Sequence, residues 1–336
     1  MIKKFIFCLA VFFVAVAASA QTAKELHETA RSFMLQGDYP NAILVLNRAI
    51  ALDPKDLEIA KDLGLNYYFA KDYNKALDVY KPILERADAD DQCFQVAGDI
   101  YQALNNPKES EKVYRKGLKL LPKSGALYNE LGEVLWQQKD YTAIKQWEKG
   151  IEVDPGFSKN YYNACNYYAL TTEKVWNIIY GEIFLNIEPA SASAPIVKNI
   201  ILEGYKRLFA EPNLENEKNN PEKNAFVQAY LQIMNKQSNL VSSGITAESM
   251  TMVRTRFILD WYNSPNATKY PSRLFEQQRQ YLQEGMFDAY NQWIFTAAQN
   301  LPAYQNWITL NATEYNELAR FQKGRIFRIP TGQYYH

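Results

Sequence analysis

Histidine is almost missing from this chain: two residues in 336, His27 and His336, at opposite ends of the sequence. That excludes a histidine-based triad, a histidine-rich metal site and an H-E-x-x-H pair. Cysteine is nearly as scarce. Cys8 lies in the N-terminal apolar run, leaving Cys93 and Cys165. Two separated cysteines cannot form a zinc ribbon, and we expect them as buried thiols. No G-x-S-x-G, G-x-G-x-x-G or P-loop pattern occurs. We therefore assign no catalytic residue, no metal ligand and no cofactor. Charge of one sign is also lacking: 37 basic residues meet 37 acidic ones. A neutral chain gives no electrostatic case for nucleic acid or an anionic membrane.

Long hydrophobic runs are absent after the N-terminus. Lys3 and Lys4 precede an apolar run, Phe5 to Ala18, and Ala18-Ser19-Ala20 is a small-residue cleavage pattern. Residues 1–20 read as an export signal. The run is shorter than the roughly 20 residues that span a bilayer. We expect no transmembrane span in the mature chain. It would be placed in the periplasm or cell envelope of a Gram-negative bacterium, or secreted. Thr22 and Glu25 form a capping box, so helix begins directly after the signal.

What the chain does have is a period. Gly64, Gly98 and Gly132 recur thirty-four residues apart, and Pro54, Pro122, Pro155 and Pro189 close segments near that spacing. Such a period marks an array of helix hairpins that bury their apolar faces on one another. The units are 23–56, 57–90, 91–124, 125–157 and a degenerate 158–191. Small residues recur at Ala30, Ala42, Ala76, Ser110 and Ala143, and aromatic residues at Tyr67, Tyr101, Tyr114 and Trp147. In this register the chain resembles the tetratricopeptide repeat family. The resemblance implies an all-α solenoid, a right-handed superhelix of helix hairpins, with first helices lining a concave groove. Groove positions carried over from the family are Lys24, His27 and Arg31; Lys61, Leu65 and Tyr68; Gln95, Asp99 and Gln102; Asn129, Glu133 and Trp136; and Tyr162 and Asn166. They run from basic to acidic and amide. Leu65, Gln92 and Gln95 depart from the chaperone-type carboxylate clamp, so we do not expect that mode of peptide capture.

Residues 192–336 lose the strict period. Apolar spacing predicts helices near 195–210, 222–237, 247–262, 272–284, 287–299 and 312–322. Residues 271–303 echo the fourth unit as a possible further hairpin. The polar stretch Glu211 to Asn224 is the best candidate for disorder. Basic residues interleave with Phe321, Ile326 and Phe327 between Arg320 and Arg328, either as a partner-binding strip or as a segment packing on the last helices.

The reading that follows is a non-enzymatic, exported scaffold that binds a protein or peptide in the cell envelope. Alternatives are a glycan-binding helical protein of the cell surface and an enzyme with a carboxylate site in 192–336. The sequence leaves the partner and the oligomeric state open.

Overall fold

A computed structural model describes residues 21–336. The expected export signal, 1–20, lies outside them. The regular structure among the described residues is all helical, with no strand. They fall into two compact units, one ending at Ala89 and one running from Asp90 to His336.

The first unit holds two hairpins, α1 (Ala23–Leu35) with α2 (Tyr39–Leu52) and α3 (Leu57–Phe69) with α4 (Tyr73–Ile83). The Thr22 capping box starts α1, and Asp38, Asp56 and Asp72 cap the helices that follow. Leu26, Ala30, Leu46, Ala49, Ile59 and Leu63 form its core.

The second unit continues with α5 (Asp91–Ala103), α6 (Pro107–Leu120), α7 (Gly125–Gln137), α8 (Ala143–Val153), α9 (Ser158–Ala169) and α10 (Lys174–Ile187). Every turn of the first four hairpins carries one left-handed residue: Gly37, Lys71, Asn105 and Lys139, each with φ between 55° and 73°. The amide after each returns to the carbonyl five residues back, as Asp38 to Phe33 and Asp140 to Leu135, both at 2.9 Å. This is a Schellman closure, and the same Asp or Asn then heads the next helix, capping it in the first three hairpins. At Asp140 the side chain instead bonds Thr142, just ahead of α8. The degenerate fifth hairpin lacks the left-handed residue. There the ammonium of Lys174, itself buried, bonds the carbonyls at the end of α9, reaching Ala169 O at 2.9 Å.

The period also has a packing cause. A Cβ on Gly64, Gly98 or Gly132 would collide with the ring of Tyr80, Tyr114 or Trp147 on the second helix of the same hairpin. Gly117 and Gly150 make room for Phe94 and Leu127, and for Asn160.

After α10 the chain packs on without a break. α11 (Ala194–Phe209) lies against α9 and α10. Then come α12 (Ala225–Asn235), α13 (Ala247–Tyr262), α14 (Asn266–Lys269), α15 (Arg273–Gln283), α16 (Phe287–Asn291), a π-helical turn (Gln292–Thr296), α17 (Ala297–Gln299), α18 (Leu301–Leu310) and α19 (Ala312–Gly324). α18 has no counterpart in the sequence expectation, because only Tyr304 of its residues is buried and no apolar stripe marks it. The 271–303 hairpin closes at Gly285, φ 77°, with Met286 N on Tyr281 O at 2.8 Å, the same closure as in the repeats. Its second helix differs, since the π turn interrupts it.

Residues 211–224 are not the loose loop their composition predicted. Leu214 is fully buried, and Asn219 donates to its carbonyl at 2.9 Å. Asparagine side chains here replace helix as backbone partners. The tail packs back on the preceding helices. Phe327 is buried under the Arg273 guanidinium. Beyond it, Tyr335 O accepts from Asn224 Nδ2 at 2.7 Å, and His336 Nε2 meets Tyr168 OH at 2.6 Å.

A buried charge pair centres the C-terminal helices. Arg254 on α13 pairs with Glu182 on α10, both side chains 2% exposed. Gln278 and Tyr290 donate to the same Glu182 oxygen at 2.7 and 2.9 Å. All three of these partners meet Glu182 at Oε1.

Candidate interaction surface on the first helices

In the first unit, three of the four basic positions expected to line a groove are paired. His27 Nε2 lies 2.6 Å from Asp62 Oδ2, and Arg31 Nε donates to the same oxygen at 2.9 Å. Lys61, buried, bonds Glu58 at 3.0 Å. Asp62 and Glu58 on α3 therefore compensate the charge expected on α1 and α3. Lys24 is exposed, and Leu65 and Tyr68 are half-buried. Asp62 was absent from the sequence set because the register alone does not say which neighbour answers a charge.

In the second unit, the first helices α5, α7 and α9 carry a connected polar ladder. Gln95 reaches Glu130 at 3.4 Å. Asn129, fully buried, donates to Glu133 at 2.9 Å and its oxygen accepts from Asn163 at 2.9 Å. Asp99 accepts from Tyr114 OH at 3.1 Å, and Gln102 lies 3.5 Å from the same hydroxyl. Burial pushes the Glu130 carboxyl up to about 7, and nearby Glu133 and Asp99 add to it. Burial likewise raises Asp99, opposed by the Tyr114 hydrogen bond. No salt bridge among the described residues reaches Asp99, Glu130 or Glu133.

The ladder ends at a cavity of about 660 Å³. Four of the expected positions line it: Glu133, Trp136, Tyr162 and Asn166. The sequence reading missed Trp147, Asn163 and Tyr167. Asn163 and Tyr167 sit on the inner face of α9 one position beyond Tyr162 and Asn166. Trp147 comes from the second helix α8 and reaches through because Gly132 leaves the gap.

Comparisons with known proteins agree with the repeat register. The family described as anaphase-promoting complex, cyclosome, subunit 3 matches residues 15–117, and the tetratricopeptide repeat matches 96–148. The mouse BBSome complex member BBS4 is 31% identical over 124 residues, 37% of this chain and 24% of that protein. Human tetratricopeptide repeat protein 21B is 28% identical over 130 residues, 38% of this chain and 10% of that protein. The chain thus spans a quarter or less of the length of these relatives. A tetratricopeptide repeat protein from Parabacteroides merdae superposes at a TM-score of 0.44 with 15% identity, covering 77% of this chain and 97% of that one. Over residues 15–148 these matches support tetratricopeptide repeat hairpins in this chain.

Proposed function

We propose that this protein is an exported, non-enzymatic scaffold that holds an extended segment of a partner protein along α5, α7 and α9. The observation that carries this is the polar ladder Gln95–Glu130–Asn129–Glu133–Asn163, free of ion pairs among the described residues, which leads into an aromatic cavity. Hydrogen-bonding groups fix the register of an extended chain, and an apolar recess anchors one side chain. The N-terminal pattern supports delivery to the cell envelope. Fractionation with mass analysis of the mature N-terminus tests it: a chain starting at Gln21 in the periplasm is expected, and an intact chain in the cytoplasm would refute export. For the scaffold role, cross-linked full-length protein should recover a discrete set of envelope proteins. The Glu133→Lys, Trp136→Ala double variant should lose them at unchanged helix content. Unchanged recovery would refute this surface.

A further inference from the structure

The cavity at the end of the ladder has a composition more particular than a general peptide groove requires. Trp136, Trp147, Tyr162 and Tyr167 line it together with Glu133 and Asn163. The Trp136 and Trp147 rings lie 6.0 Å apart at 54°, and Trp136 and Tyr167 lie 6.0 Å apart at 69°. Rings at these distances and angles pack against one another, so Trp136, Trp147 and Tyr167 form one continuous aromatic wall.

The lining rings carry negative π faces, and Glu133 adds a carboxylate to the lining. Glu133 accepts from Asn129 and Asn163, both through Oε1. Its Oε2 receives no hydrogen bond among the described residues. Lys159 offsets the field at Glu130 and Asp99 yet makes no ion pair with either. No ion pair to Glu133 forms among the described residues. Aromatic faces and a carboxylate attract the same ligand group, an alkylammonium or guanidinium, and more strongly where water is excluded.

Resting on the groove reading above, we propose that this cavity receives a lysine or arginine side chain of the bound segment, with its charge against Glu133 and its stem along the joint aromatic wall of Trp136 and Tyr167. A flexible methylene stem suits such apolar walls. The volume is within the range of a small-ligand pocket, roughly 300–1,000 Å³.

The test uses full-length protein labelled with 15N at its six tryptophans, titrated with n-butylammonium, with the neutral n-pentanol and with maltohexaose. Butylammonium is expected to shift the Trp136 and Trp147 indole resonances saturably, at least about tenfold more tightly than pentanol. Glu133→Gln, chosen to keep shape, should weaken butylammonium about tenfold and leave pentanol unchanged, with the remaining tryptophan resonances in place. Equal binding of pentanol, or indifference to Glu133→Gln, overturns the proposal. Shifts of the same resonances by maltohexaose alone would assign the cavity to glycan instead. Partner recovery without a butylammonium response would sink only this inference. A butylammonium response with no recovered partner would sink only the groove reading.

Discussion

A methyl group on Gly132 would strike the indole nitrogen of Trp147, which donates to Asn129 O at 3.3 Å. One absent side chain thereby admits a ring from the facing helix. That ring closes the hairpin and forms a wall of the cavity.

Gly132→Ala is accordingly expected to destabilise the protein. Alanine improves helix propensity by about 1 kcal/mol. Overpacking a filled core costs about 1–3 kcal/mol, and Trp147 is too buried and hydrogen-bonded to move aside freely. The net expectation is a loss of about 1–2 kcal/mol in urea unfolding, with a shifted Trp147 indole resonance. A variant as stable as the native chain would show that the ring yields.

The turns predict the opposite sign. Lys139 holds φ 61° with a side chain in solvent. A left-handed backbone costs a non-glycine residue about 1–2 kcal/mol, and glycine gives back about 0.5–1 kcal/mol in chain entropy. Lys139→Gly should therefore stabilise by about 0.5–1 kcal/mol. Asn105→Gly should change little, because asparagine tolerates this conformation. Thermal unfolding of both variants checks the difference.

The Glu182–Arg254 pair should behave as a buried ion pair does. Arg254→Met leaves an unanswered carboxylate and is expected to cost about 3–5 kcal/mol. Adding Glu182→Leu should recover part of that loss, because the stranded charge goes with it. A double variant worse than the sum of its parts would mean the pair's value lies in its amide partners, Gln278 and Asn291.

Glu148 predicts a pH dependence. Burial raises its carboxyl to about 8, against the pull of Tyr168 and Tyr180, and Glu222 and Glu173 add to the rise. The folded state thus holds a proton that the unfolded chain releases near its ordinary 4.5. Stability must fall as pH climbs from about 4.5 to about 8. His336 faces the same carboxylate at 3.4 Å, with Tyr334 nearby. Burial lowers its pKa from the ordinary 6.5, so it works the other way below that pH. The clear window is therefore about 6.5 to 8. Glu148→Gln should flatten the unfolding profile there and be the more stable chain at pH 8. A profile unchanged by the substitution would place the titration elsewhere.

A cation entering the cavity should expel a proton. Glu130 sits near 7 beside Glu133, and a positive charge favours its ionised form. Calorimetry of butylammonium binding at pH 7 should give heats that differ between phosphate and Tris in the sense of proton release. Glu130→Gln should remove the difference.

The repeat hairpins were legible in sequence because their causes are local or nearly so. A capping Asp, a left-handed turn residue and a small residue opposite a ring all recur at fixed offsets. The chemistry of the inner face was legible only in outline. The register placed Glu133, Trp136 and Tyr162, yet it could not say that Asp62 and Glu58 would answer His27, Arg31 and Lys61. Nor could it bring Trp147 through from α8. Composition misread residues 211–224, because polar side chains that bond backbone groups look the same as polar side chains in water.

By itself the sequence determined the helical class, the hairpin period and the places where rings meet glycines, since these depend on spacing along one chain. Tertiary structure alone decided which charges are neutralised and which remain open. It also decided that Glu182 finds Arg254 seventy-two residues away, and that His336 returns to Tyr168. Those pairings depend on how separate helices come together, and no local rule of spacing encodes them.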